Sequence, residues 1–126
     1  MDKIFLEEKL VAIHVRSFPQ GTTPVSSPLD ALQLLTMKRK KGETAKLHRH
    51  IPKRRVTEVL QECLIVITGK VRYDFFDVEK RCFKKVFVRS GEAILILGVA
   101  HEVHFLEDSE VYELKNGPYI EDKVSL

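Results

Sequence analysis

An all-β fold in a single domain, a sandwich or small barrel, is predicted by three features of this sequence. Short apolar-rich runs recur from Leu32 onward, separated by turn signals at nearly regular intervals. One of them, Val71-Arg72-Tyr73-Asp74-Phe75-Phe76, alternates apolar and polar residues at period two, the pattern of a half-buried strand. No segment carries an apolar stripe at helical spacing. With 126 residues the chain can bury about two-thirds of its unfolded surface, which suffices for one core and not for two.

Residues 9–18 read as a strand that either joins the main sheet or pairs with a second subunit. Residues 19–28 concentrate proline, glycine and serine and form a loop, with room for one helical turn at most over 28–32. Residues 32–37 are apolar enough for a strand that ends in the basic stretch before Gly42. The β-branched run 56–68 is broken by Gly69-Lys70, so the runs on either side read as a hairpin. Residues 77–81 are a polar turn, and 82–88 the return strand. Ser90-Gly91-Glu92 leads into 93–97 and then 101–106. Glu107-Asp108-Ser109 turns the chain into 110–115, and Asn116-Gly117-Pro118 closes the sheet. The expected domain is 1–126, with an N-terminal strand and loop over 1–31 and a barrel core over about 32–120.

Composition narrows the function classes. A chain that is 44% hydrophobic and 31% charged is globular rather than disordered. The apolar run 63–67 is far short of the roughly 20 residues that span a bilayer. The charged start Met1-Asp2-Lys3-Ile4 lacks an apolar signal region. A cytoplasmic protein with no membrane partner is the expectation. Cys63 and Cys82 have no CxxC spacing and are expected as reduced thiols. Net charge is only +3. The runs Lys38-Arg39-Lys40-Lys41 and Lys53-Arg54-Arg55 are basic enough to touch phosphate. No aromatic residues interleave with them as base stacking requires, so solvated loops and no nucleic-acid partner are expected.

The histidines carry more information than the charge. On a strand, His48 and His50 would point to one face and present two imidazole lone pairs together. A surface pair beside a basic loop is the alternative. Glu62 opens an apolar run six residues before Gly69, and a carboxylate entering a core needs a cation or a hydrogen-bond partner. His101 can add a third imidazole from a neighbouring strand. His104, an odd number of positions further on, falls on the opposite face of an undistorted strand, although it is the one residue that could replace His101. His14 reads as a core or interface histidine. Gln61 and Arg49 point away from their neighbours' faces. Tyr73 and Phe75 share a face that suits core packing better than pocket lining.

The arrangement resembles the cupin superfamily of RmlC-like jelly-roll β-barrels. Its first motif is a glycine, five residues, HxH, a spacer, a glutamate, six residues and a glycine. Gly42 through His48-Arg49-His50 has that spacing, as does Glu62 through Gly69, with an eleven-residue spacer longer than usual. Gly91, Gly98 and His101 are similar to the second motif, with Leu97 where proline is expected. Residues 57–77, 101–108 and the ending Lys115-Asn116-Gly117-Pro118-Tyr119 narrow the likeness to small stand-alone prokaryotic cupins often found with surface-polysaccharide genes. It covers roughly 34–120.

By that resemblance His48, His50, Glu62 and His101 are the expected metal ligands, for divalent Fe, Mn, Ni, Zn or Co. A metal-dependent enzyme acting on a small molecule in the barrel mouth is expected, an isomerase, epimerase, lyase or dioxygenase. A sugar or sugar nucleotide is the suggested ligand. Two alternatives stand beside it, a non-catalytic sugar- or metal-binding module and a metal-independent isomerase with His48 or His101 as catalytic general base. A homodimer whose interface includes residues 3–15 is expected, because a small barrel has strand edges to cover.

Overall fold

The computed structural model describes residues 1–126, which form ten strands and no helix. In chain order they are β1 (Asp2–Leu6), β2 (Lys9–Val15), β3 (Gly21–Pro24), β4 (Leu35–Lys38), β5 (Glu62–Thr68), β6 (Lys70–Phe76), β7 (Cys82–Arg89), β8 (Ala93–Ile96), β9 (Ala100–Phe105) and β10 (Glu110–Lys115). Every pairing is antiparallel. One sheet has the order β1-β2-β8-β5-β10, a second has β7-β6-β9, and β3 pairs with β4 alone.

The main core lies between the five- and three-stranded sheets. Leu64 and Val66 of β5, Ile94 and Ile96 of β8, and Val11 and Ala12 of β2 meet Val71, Tyr73 and Phe75 of β6 and Val86 and Val88 of β7. Each fully buried side chain of this size contributes roughly 1.5–3 kcal/mol. The opposite face of the five-stranded sheet carries a smaller cluster of Ile13, Val15, Cys63 and Leu95, covered by Val25, Leu32 and Leu34. Burial there pushes the Cys63 thiol up to about 11, so it is an inert core group. Hydrogen bonding stops at β1 and β10 in one sheet and at β7 and β9 in the other. The chain therefore forms an all-β structure of two main layers, as the all-β expectation has it, without a closed barrel in these pairings.

The N-terminal segment joins the main sheet, because β2 pairs with β8 while β1 folds back along it. Their turn is Glu7-Glu8, both at positive φ (49° and 67°), a two-residue connection of the kind that matches strand twist. His14 is buried on β2, its Nε2 2.8 Å from Glu92 Oε1, which settles it as a core histidine.

Two expectations are corrected. β5 and β6 do not form a hairpin around Gly69. β5 pairs with β8 and β10, β6 with β7 and β9, and Gly69 carries the chain across from one sheet to the other. The true hairpin is β6–β7, turned by residues 77–81. There Asp77 Oδ1 accepts the backbone N–H groups of Glu79 and Arg81. Second, residues 39–61 contain no strand, and every residue from 37 to 60 is exposed. Their charge density and Pro52 oppose a ladder, since like charges repel and proline donates no hydrogen bond.

Candidate functional site

Glu62 and His101 come from different sheets and meet at one end of the sandwich. Glu62 is the first residue of β5 and lies on the face of Leu64 and Val66; His101 pairs with Phe75 across the β6–β9 ladder and lies on its inward face. His101 Nε2 is 2.9 Å from Glu62 Oε1, and both side chains are mostly buried. The imidazole Nδ1 lies 2.8 Å from the Val99 carbonyl oxygen, which can only accept, so Nδ1 carries a proton.

That assignment has a consequence for Nε2. If the ring is neutral, Nε2 is a lone pair facing a carboxylate lone pair, a contact that needs a proton or a cation between the two. A proton on Nε2 meets that need. Hydrogen bonding to Glu62 raises the His101 imidazole above its ordinary value; burial opposes this and the Val99 carbonyl adds to it. Hydrogen bonding to His101 likewise holds the Glu62 carboxyl below the usual carboxylate range, against burial.

The pair borders a cleft of about 880 Å³ lined also by Leu60, Tyr73, Val99 and Lys115, with residues 122–126 along its rim. The Tyr73 ring packs 5.7 Å from that of His101. Its phenol is raised, first by burial and then by the Glu62 charge, and stays protonated. Lys115 Nζ lies 3.8 Å from Glu62 Oε2 and 3.2 Å from Glu113 Oε1. Asn116, just beyond it, holds the approach to β5. Its Oδ1 accepts the Gln61 N–H, and its Nδ2 donates to the Thr57 hydroxyl and the Val59 carbonyl.

His48 and His50 are placed elsewhere. They sit on the exposed stretch 39–61, outside any strand, with ring centres 5.3 Å apart and His48 Nδ1 2.7 Å from the Lys46 carbonyl. The structure thus brings together Glu62 and His101 and leaves the two imidazoles of the HxH pair apart from them. Gln61 turns away as expected. It is buried, its Oε1 accepting the Leu32 N–H.

No family model, curated protein or solved structure matches this chain. No helix is long and apolar enough to cross a membrane.

A second cluster, not anticipated from the sequence, lies on the outer face of the three-stranded sheet. Asp74, Glu102 and His104 bring ligand atoms within 4.8 Å of one another and could hold a metal ion. The i,i+2 spacing of Glu102 and His104 on β9 was a readable signal; their register opposite Asp74 and Arg72 was not. Asp74 is only 4% exposed and already compensated. Arg72 grips it with two hydrogen bonds of 2.8 and 3.2 Å, and Lys85 lies at 3.3 Å. Burial works against its charge, yet these two cations hold the carboxyl below its ordinary value. A divalent ion there would meet two fixed positive charges. At the Glu62–His101 pair the nearest cation is Lys115, farther off and shared with Glu113.

Proposed function

We propose that the protein is a metal-binding, cupin-type protein that acts as a metal-dependent enzyme on a small molecule in the cleft beside Glu62 and His101. The observation that carries this is the pair itself. A histidine whose Nδ1 is tied to a backbone carbonyl has Nε2 directed at a carboxylate 2.9 Å away. Such an outer hydrogen bond is the usual support of a metal-ligating imidazole. Two bonds of about 2.1 Å meeting at a right angle separate nitrogen and oxygen by about 3 Å. Glu62 and His101 would hold the ion; His48 and His50, which the motif spacing adds to the set, lie apart from them on the exposed stretch 39–61. A divalent Fe, Mn, Ni, Zn or Co in such a mixed nitrogen and oxygen set would polarise an oxygen of a bound sugar-like substrate. Around it, Tyr73 and Val99 exclude water from the inner wall, and Lys115 supplies a hydrogen-bond donor at the rim.

Purified protein, prepared without a metal affinity column, is expected to contain or take up one such ion per chain. Uptake should be lost in Glu62→Gln and His101→Ala and kept in Asp74→Asn and His104→Gln. Uptake that survives His101→Ala and disappears in His104→Gln would move the centre to the outer cluster and overturn the assignment.

The same pair supports a second reading, in which His101 works without metal as a general acid–base oriented by Glu62. Chelation separates the two, since activity that outlasts removal of metal belongs to the second. We also propose a homodimer through the free edge of β1.

A further inference from the structure

We infer that residues 38–55 form a docking surface for an anionic lipid bilayer, distinct from the cleft and independent of the metal. Nine of the 21 Lys and Arg residues and one of the 18 acidic residues fall in this stretch. The segment therefore carries +8, and the remainder, with twelve basic against seventeen acidic residues, carries −5. A net charge of +3 conceals a strongly uneven distribution of charge along the chain.

The cations of the segment are also uncompensated. Only Arg39 has a carboxylate within salt-bridge reach, Glu43 at 3.8 Å. Elsewhere Arg16, Arg72, Arg81, Lys85 and Lys115 all have acidic partners. Every residue from 38 to 55 is exposed, in a stretch that beyond Lys38 belongs to no strand, so no neighbouring element masks the charge. Charges held this close repel one another, and a polyanion relieves that repulsion.

The aliphatic residues decide which polyanion. Leu47 is fully exposed, and Ile51 and Val56 are each 67% exposed, interspersed among the lysines and arginines. A nucleic-acid backbone has no use for exposed aliphatics, and the stretch 37–60 holds no Phe, Tyr or Trp to stack on a base. A lipid interface uses both, with lysine and arginine at the headgroups and aliphatic side chains among the acyl chain ends. With a Debye length of about 10 Å at 0.1 M salt, an anionic surface lying against the segment is attracted mainly by the segment's own charges.

The test is sedimentation of the full chain with vesicles of phosphatidylglycerol mixed with an equal amount of phosphatidylcholine, against vesicles of phosphatidylcholine alone. Binding to the anionic vesicles that weakens as salt rises is expected, with none to the neutral ones. Each charge removed should weaken binding about five-fold, so Lys53→Gln with Arg54→Gln and Arg55→Gln should lose on the order of a hundred-fold. Lys3→Gln with Lys9→Gln, outside the segment, should lose far less. Leu47→Asn with Ile51→Asn should weaken vesicle binding and leave binding to a DNA duplex unchanged. No binding to anionic vesicles at low salt, equal losses in the two charge variants, or tighter binding to the duplex with the leucine change inert would each overturn the inference.

Discussion

Asp74 shows what a single position asks of its neighbours. It is the outward-facing polar residue of an alternating strand, a place that usually faces water, yet the long side chains of Arg72, Lys85 and His104 bury it. Because its folded pKa lies below the ordinary carboxylate value of about 3.9, its charge stabilises the fold at neutral pH. As pH falls through the folded value the carboxylate protonates and that contribution is lost. Asp74→Asn is therefore expected to destabilise by about 1–3 kcal/mol at pH 7, by leaving the Arg72 fork unmatched. The difference from the parent should shrink in urea melts run progressively below pH 4. A constant difference across that range would mean the loss is one of packing.

At the scale of elements, the crossover at Gly69 sets where the site is. Gly69 has φ +101°, and a Cβ there would lie 2.2 Å from Ser109 Oγ and 2.7 Å from the Asp108 carbonyl oxygen. The serine side chain can rotate, but the carbonyl belongs to the turn into β10. The chain can change sheets here only because glycine tolerates both the dihedral and the approach. Gly69→Ala is expected to lower stability by more than the roughly 1–2 kcal/mol that a left-handed dihedral costs a residue with a Cβ. Adding Ser109→Gly should recover part of that loss and not all of it, as read in thermal melts.

The crossover also explains why Glu62 could be placed from the sequence but its partner strands could not. Glycine followed by a strand-forming run is the same signal for a hairpin and for a change of sheet. The N-terminal hairpin was hidden for a related reason. Its turn is made by Glu7-Glu8, which carries none of the Asn-Gly or Asp-Gly chemistry that marks such turns.

For the whole molecule, the open edges matter most. β1 ends the five-stranded sheet with unpaired backbone groups, and Phe5 on it is 53% exposed. A second copy adding its own β1 would cover both edges at once by two-fold symmetry. Light scattering at micromolar concentration is expected to give twice the 14.5 kDa chain mass. Phe5→Lys should return the monomer; a monomeric parent would refute the arrangement. β2, included with β1 in the expected interface, is interior to the sheet and has no free edge to offer.

The sequence by itself determined the all-β class, most strands from β6 to β10, and the residue types of the candidate centre. Period-two patterning and turn residues are local properties, legible along the chain. Only the tertiary structure decided the two-layer arrangement, the inclusion of the N-terminal hairpin in the main sheet, and which histidine meets Glu62. It also separated the HxH pair from the core and brought Asp74, Glu102 and His104 to one outer face. Those outcomes depend on register between distant strands and on where a basic, proline-interrupted segment finds no ladder to join. Neither is encoded in the spacing of neighbouring residues, because both follow from competition among all the strands for the same buried faces.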